Sequence, residues 1–135
     1  MVYIMKEITV VAKNEMGALE SVASALGGSG INIEAITAYA REPNEAVFRI
    51  ITTDPATAKK ILSRVPHVKN VEEGGVIVVK MPNRPGELAK ITKKLTKNGV
   101  NLESVYILSK EREYTEVALK PIRDDFERAK KVLGV

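Results

Sequence analysis

Apolar positions recur along the chain with two spacings, which together predict its elements. Apolar residues three and four apart predict helices at 18–26, 55–64, 87–97 and 124–133. Short runs rich in β-branched residues predict strands at 6–12, 31–39, 46–53, 67–71, 76–81, 100–109 and 114–120, with residues 1–5 extending the first. The elements follow the order βαββαβ and then βαββα, so we expect an α+β fold made of two ferredoxin-like repeats.

Local signals refine these boundaries. Asp54 and Pro55 are predicted to be the N-cap and the first residue of a helix. The apolar phase changes between Ile33 and Ile36, which predicts a β-bulge. Turns are predicted at 41–45 and 110–113, and a linker at 72–75. Asp124-Asp125 is interpreted as capping the last helix rather than as a catalytic or metal-binding pair.

The chain contains an internal repeat. Asn14-Glu15-Met16-Gly17-Ala18-Leu19 recurs 69 positions later as Asn83-Arg84-Pro85-Gly86-Glu87-Leu88. At the same offset, Gly30-Ile31-Asn32-Ile33-Glu34 matches Gly99-Val100-Asn101-Leu102-Glu103. Two copies are too few for a solenoid. They predict a tandem pair of small domains, at 1–73 and 74–135.

The second repeat lacks its last strand. Only Gly134 and Val135 follow the predicted helix that ends at Leu133. An unpaired sheet edge invites pairing with another segment. We therefore expect this edge to be filled by Met1–Met5 or by a partner subunit.

The repeated turn joins an apolar strand to an amphipathic helix. Pro85 suits the start of a helix because its φ is fixed, and Gly86 lets a ligand approach the backbone because it has no Cβ. The first N–H groups of a helix lack intrahelical partners and carry the positive end of its dipole, so a small anion can bind them. The alternative is a well-formed turn that binds nothing.

Composition narrows the possible functions. The chain has no Cys and a single His, His67, and it contains none of the common catalytic or phosphate-binding motifs. An enzyme, a metal site and a cofactor are therefore not expected. Lys90, Lys93, Lys94 and Lys97 form one helix face, but no aromatic residues are interleaved with them, so this is interpreted as a solvated face rather than a nucleic-acid site. No signal peptide or membrane span is recognised, so a cytoplasmic protein is expected.

Taken together, the two repeats resemble tandem ACT domains. Asn83-Arg84-Pro85-Gly86-Glu87-Leu88 is similar to the D-x-P-G-x-L signature of that family, with Asn in place of Asp. Gly99-Val100-Asn101-Leu102-Glu103 is similar to its G-x-N-I strand entry. The first repeat departs further, because Met16 stands where the signature has Pro. The site of the first repeat is therefore a candidate for one that binds no ligand.

The resemblance implies a regulatory protein that binds an amino acid or a similar small carboxylate where two domains meet side by side. The N–H groups of the Gly-x-Leu segment would then hold the carboxylate, and the strand-entry Asn would contact the amino group. The implied partners are a second copy of the chain, as a dimer, and a biosynthetic enzyme, with no nucleic acid and no membrane. The alternative is an interaction subunit that binds no ligand. The candidate ligand-binding residues are Asn83, Arg84, Pro85, Gly86, Glu87, Leu88 and Asn101, with Asn14, Met16, Gly17, Ala18, Leu19 and Asn32 in the first repeat.

Overall fold

A computed structural model describes all 135 residues. The strands are β1 (Val2–Lys13), β2 (Ile33–Glu42), β3 (Glu45–Thr52), β4 (Val68–Pro82), β5 (Leu102–Lys110) and β6 (Tyr114–Pro121). The helices are α1 (Ala18–Gly28), α2 (Pro55–Leu62), α3 (Glu87–Lys97) and α4 (Phe126–Leu133), with a 3₁₀ turn at Arg123–Asp125 before α4. The predicted α+β class is confirmed, and so is the order of elements, except that the strands predicted at 67–71 and 76–81 form one strand, β4. None of the helices is long and apolar enough to cross a membrane.

The chain forms two compact units whose boundaries interrupt two strands. The first unit is Lys6–Gly74, and the second unit is Met1–Met5 together with Gly75–Val135. Strands β1 and β4 therefore each contribute residues to both units. The predicted domains, 1–73 and 74–135, are contiguous stretches, and they differ from the compact units chiefly in where Met1–Met5 belongs.

The first unit has the strand order β2-β3-β1-β4. Strands β1 and β3 are antiparallel, with Ile8 opposite Ile50 and Val10 opposite Phe48. These four side chains are buried and pack against buried residues of α1 and α2, which present their apolar faces to the same side of the sheet. Burial of each large apolar side chain contributes about 1.5–3 kcal/mol. The predicted bulge is confirmed by a register shift in β2 between Ile33 and Ala35.

The second unit has the strand order β5-β6-β4-β1, in which Met1–Met5 occupies the position of the missing strand. The Lys80 N–H donates to the Met1 carbonyl at 2.9 Å, and Val2 packs on the core of this unit. The Tyr3 hydroxyl donates to Glu116 Oε2 at 2.5 Å. Of the two predicted ways to fill the edge, the structure therefore shows the chain's own N-terminus.

The predicted linker at 72–75 is wrong, because β4 runs unbroken through it from Val68 to Pro82. The two glycines in the sequence suggested a flexible joint, yet Gly75 serves packing. A Cβ at Gly75 would lie 3.1 Å from Cζ of Phe126 and 3.5 Å from Cγ2 of Ile4. Glycine in a strand commonly marks such a close approach.

The predicted cap of α2 agrees with the structure, and the predicted cap of α4 agrees only in part. Asp54 caps α2 as predicted, since its carboxylate accepts the Thr57 N–H at 3.2 Å. Asp124 and Asp125 lie in the 3₁₀ turn, and Asp125 is the N-cap residue of α4, but neither side chain makes a capping hydrogen bond to that helix. The predicted turn at 41–45 is also too long, because the strands extend until only Pro43 and Asn44 separate them.

Candidate functional site

The two repeated turns adopt the same backbone conformation. The N-cap of α3 is Gly86 with φ 86°, and the N-cap of α1 is Gly17 with φ 88°. No atom lies within 4 Å of a Cβ built at either glycine. Glycine is therefore needed here for the left-handed backbone, and space for a ligand is available as well. Pro85 precedes the N-cap, within the turn rather than within the helix.

The asparagine that opens each turn fixes it to the neighbouring hairpin. The Asn83 N–H donates to the Glu113 carbonyl at 3.1 Å, and its Nδ2 donates to the Glu111 carbonyl at 2.8 Å. In the first unit the Asn14 N–H donates to the Asn44 carbonyl at 2.9 Å, and its Nδ2 donates to the Pro43 carbonyl at 3.0 Å. Each asparagine amide thus serves to position the turn.

Main-chain donors remain unpaired at the start of α3. The Glu87 N–H donates weakly to the Arg84 carbonyl at 3.4 Å, and the Lys90 N–H donates to the Gly86 carbonyl at 3.1 Å. The N–H groups of Leu88 and Ala89 have no partner in the protein. Because these groups carry the positive end of the helix dipole, they can hold a small anion.

A cavity of about 350 Å³ lies beside this helix start. We name it the α3 cavity. It brings four of the candidate residues, Asn83, Arg84, Glu87 and Leu88, together with residues of β4, β5 and β6. The other lining residues are Met81, Pro82, Val105, Tyr106, Ile107, Lys110, Thr115 and Val117.

The Glu87 carboxylate is the single acidic group in the lining of the α3 cavity. Its Oε2 accepts hydrogen bonds from Nε of Arg84 at 2.9 Å and from Nζ of Lys90 at 3.1 Å. The hydrogen bonds from Arg84 and then Lys90 lower the pKa of Glu87, so it stays ionised at neutral pH. Lys110 adds a further cation to the lining. In the lining itself, Arg84 and Lys110 against the carboxylate of Glu87 leave one net positive charge, which favours an anionic ligand.

The ACT domain model matches residues 6–65 and 75–134, which together make up most of the sequence. The chain belongs to the ACT domain family. ACT domains are regulatory domains that bind amino acids. Each match falls mainly on one of the two units, so the tandem arrangement read from the repeat is confirmed.

Solved structures share this tandem ACT fold. The protein BT0572 from Bacteroides thetaiotaomicron is 27% identical, with a TM-score of 0.83 over 98% of this chain and 88% of its own. The regulatory subunit of aspartate kinase from Thermus thermophilus, in a ligand-free form, is 16% identical, with a TM-score of 0.65 over 98% and 94%. Aspartokinase alpha and beta subunits are 17% identical, with a TM-score of 0.64 over 98% and 93%. The last two show the fold alone. No curated protein sequence matches the chain.

Asn101 does not line the α3 cavity of the second ACT unit. Its side chain is exposed, and its N–H donates to Asp125 Oδ2 at 2.8 Å. The buried Asp125 also accepts from Nη1 of Arg128 at 3.0 Å, and Arg128 donates to the Gly99 carbonyl. Asp125 therefore fixes the entry of β5, a role that its sequence neighbours did not indicate. The predicted contact of Asn101 with a ligand stays a prediction.

The turn of the first ACT unit carries different charges. Glu15 stands at the position that Arg84 occupies in the second repeat. Its Oε1 lies 3.1 Å from Nδ1 of His67, and its Oε2 lies 3.8 Å from Nζ of Lys13. Met16 and Leu19 are exposed, and the Asn32 N–H donates to Oγ1 of Thr53 at 3.3 Å. Ala18, at the position of Glu87, begins α1 and supplies no charge.

Sequence reasoning missed the β5 and β6 residues of the α3 cavity. Val105 and Ile107 alternate along β5 and lie opposite Leu119 and Val117, on the side of the sheet that carries the core. They are nevertheless exposed, at 42% and 58%. The alternation was visible in the sequence, but it is typical of any half-buried strand and so did not single out a site.

Proposed function

We propose that this ACT protein is a non-catalytic regulator that binds one amino acid per chain in the α3 cavity. One observation carries the proposal: in a matched ACT repeat, a cavity of about 350 Å³ is lined by Glu87 and Leu88 at the start of α3, where the N–H groups of Leu88 and Ala89 lack partners. That volume lies within the range of small-molecule sites, roughly 300–1,000 Å³.

The amino acid would bind by its carboxylate. The free N–H groups of Leu88 and Ala89 would donate to it, and the turn at Gly86 leaves the backbone open to approach. The side chain of Arg84 is 63% exposed, and its guanidinium has further N–H groups beyond the Nε that contacts Glu87. It would add a charge-assisted contact at the rim.

The charges around the first turn support a single site per chain. Glu15 places a carboxylate where Arg84 places a cation, which disfavours an anion in the first unit. Glu15 already contacts His67 and Lys13, so these two basic groups are engaged. The predicted ligand residues of the first repeat would then serve the fold rather than a ligand.

A second copy of the chain would close the site. Strand β5 is the outer strand of the second unit, so one of its edges is open for pairing. The apolar side chains of Val105 and Ile107 in β5 and of Leu88 in α3 are exposed. A dimer formed along this edge would cover the apolar rim and shield the ligand. We further propose that the dimer works in the cytoplasm and regulates an enzyme of amino-acid biosynthesis.

An interaction subunit that binds no ligand is the second candidate. The exposed apolar side chains of the first unit favour it, because exposed apolar surface can mark a contact with another protein. They are Met16, Leu19 and Ile36, with Tyr39 on the opposite face of β2. The two candidates differ in whether the isolated protein responds to amino acids.

Thermal unfolding of the full chain in the presence of each of the twenty amino acids distinguishes the two candidate functions. A ligand present at 100 times its Kd should add about 2.7 kcal/mol of stability. Arg84→Gln should weaken the response about fivefold, since an exposed charged contact contributes roughly 1 kcal/mol. Glu15→Gln, the matched change in the first unit, should leave the response in place. If no amino acid stabilises the protein, the ligand-free interaction subunit is favoured.

A further inference from the structure

The walls of the α3 cavity are mainly apolar. Five aliphatic or thioether side chains form them, contributed by β4, α3, β5 and β6: Met81, Leu88, Val105, Ile107 and Val117. A ligand group against these walls loses its hydration and gains no hydrogen bond. That loss is costly for a polar or charged group and favourable for a hydrocarbon group.

The charged groups of the α3 cavity do not fit a charged ligand side chain. A cationic side chain would need a carboxylate, but the carboxylate of Glu87 is already paired with Arg84 and Lys90. An anionic side chain would add a second negative charge beside the apolar walls once the α-carboxylate has taken the helix start. The lining therefore offers donors for the α-carboxylate but no partner for a charge at the end of the ligand side chain.

Thr115 supplies a polar contact inside the α3 cavity. Thr115 is 8% exposed and lines the cavity. Its hydroxyl can donate and accept hydrogen bonds, so it can contact a polar group of a ligand. The main-chain end of an amino acid, with its amino and carboxylate groups, can provide this group.

We propose that the α3 cavity selects amino acids with an apolar side chain, such as a branched aliphatic or an aromatic one. This inference rests on the proposed function and adds the ligand class to it. The apolar side chain lies against Leu88, Val105 and Ile107, and the main-chain end lies between the start of α3 and Thr115.

Isothermal titration of the full chain with leucine, phenylalanine, lysine and aspartate tests the selection. Leucine or phenylalanine should bind at least about tenfold more tightly than lysine and aspartate, since two buried methylene groups account for such a ratio. Val105→Thr keeps the shape of the side chain but adds a hydroxyl, and it should weaken the apolar ligand roughly three- to tenfold.

Ile36→Thr is the matched control. Ile36 occupies the equivalent position in the first repeat and is 41% exposed, against 42% for Val105. The Ile36→Thr substitution should leave the affinity for the apolar amino acid unchanged. Equal effects of the two substitutions, or lysine or aspartate binding as tightly as leucine, would overturn the inference while the proposed amino-acid binding stands. Binding of none of the amino acids would overturn the proposed function and this inference with it.

Discussion

At the scale of single residues, the repeated glycine has a stricter role than its sequence indicated. From the sequence, Gly86 was interpreted as giving a ligand room to approach. The structure shows that its φ of 86° is itself the requirement, and that Gly17 repeats it at 88°. A left-handed backbone is strained for any residue with a Cβ, so both glycines maintain the helix entrance whether or not a ligand is bound.

Gly86→Ala should lower the free energy of unfolding by about 1–2 kcal/mol, which is the cost of a Cβ in this conformation. Gly27→Ala is the control, because Gly27 lies within α1 without a positive φ and has open space around its Cβ position. It should be neutral or stabilise by about 0.5–1 kcal/mol. Urea unfolding measures both variants. Equal effects of the two substitutions would contradict the role assigned to Gly86.

Two aspartates, Asp54 and Asp125, show which side-chain contacts can be predicted from the sequence and which cannot. The cap at Asp54 could be predicted because its partner, Thr57, is three residues away. Asp125 is the N-cap residue of α4 as predicted, but its carboxylate accepts the Asn101 N–H, 24 residues away in the sequence, instead of an N–H group of the helix. Local signals identify local partners, whereas a contact across the fold depends on packing that no single stretch encodes.

At the scale of elements, β1 and β4 each serve two units. Met1–Met5 continues β1 into the second unit and fills the edge that its own repeat leaves open. The missing strand could be read from the repeat, and so could the candidate that fills it. The continuity of β4 could not, because Glu72-Glu73-Gly74-Gly75 has the composition of a linker while its glycine at 75 makes room for Phe126.

The stability that Tyr3 of the Met1–Met5 segment gives to the folded chain should decrease at alkaline pH. Burial, and then the contact with Glu116, raises the pKa of Tyr3 to about 12 from its ordinary value near 10. The folded state therefore holds the phenolic proton more tightly than the unfolded state. The resulting stability is fully present below pH 10 and is lost as the pH rises from 10 to about 12.

Denaturant unfolding between pH 9 and 12 tests this dependence. The unfolding free energy of the wild-type chain should fall more steeply with pH than that of Tyr3→Phe, and its advantage over the variant should be lost before the pH reaches 12. At pH 9 the variant should be less stable by roughly 1 kcal/mol, the contribution of one hydrogen bond. Parallel pH profiles would show that the Tyr3 hydroxyl does not couple to folding.

At the scale of the whole molecule, the repeat predicted the tandem ACT architecture but not the difference between its two halves. Equivalent turns carry the same glycine conformation and the same asparagine contacts. Their charges differ, because Arg84 in one turn is replaced by Glu15 in the other. The α3 cavity itself could not be predicted, since Val105 and Thr115 meet Leu88 only once the register of β5 and β6 is set.

Methyl-detected NMR of the full chain during titration with an apolar amino acid measures where the ligand binds. We expect shifts for the methyl groups of Leu88, Val105, Ile107 and Thr115, with those of Leu19 and Ile36 much less affected. Shifts centred on Leu19 and Ile36, or no shift at any of these methyl groups, would contradict a single ligand site in the α3 cavity.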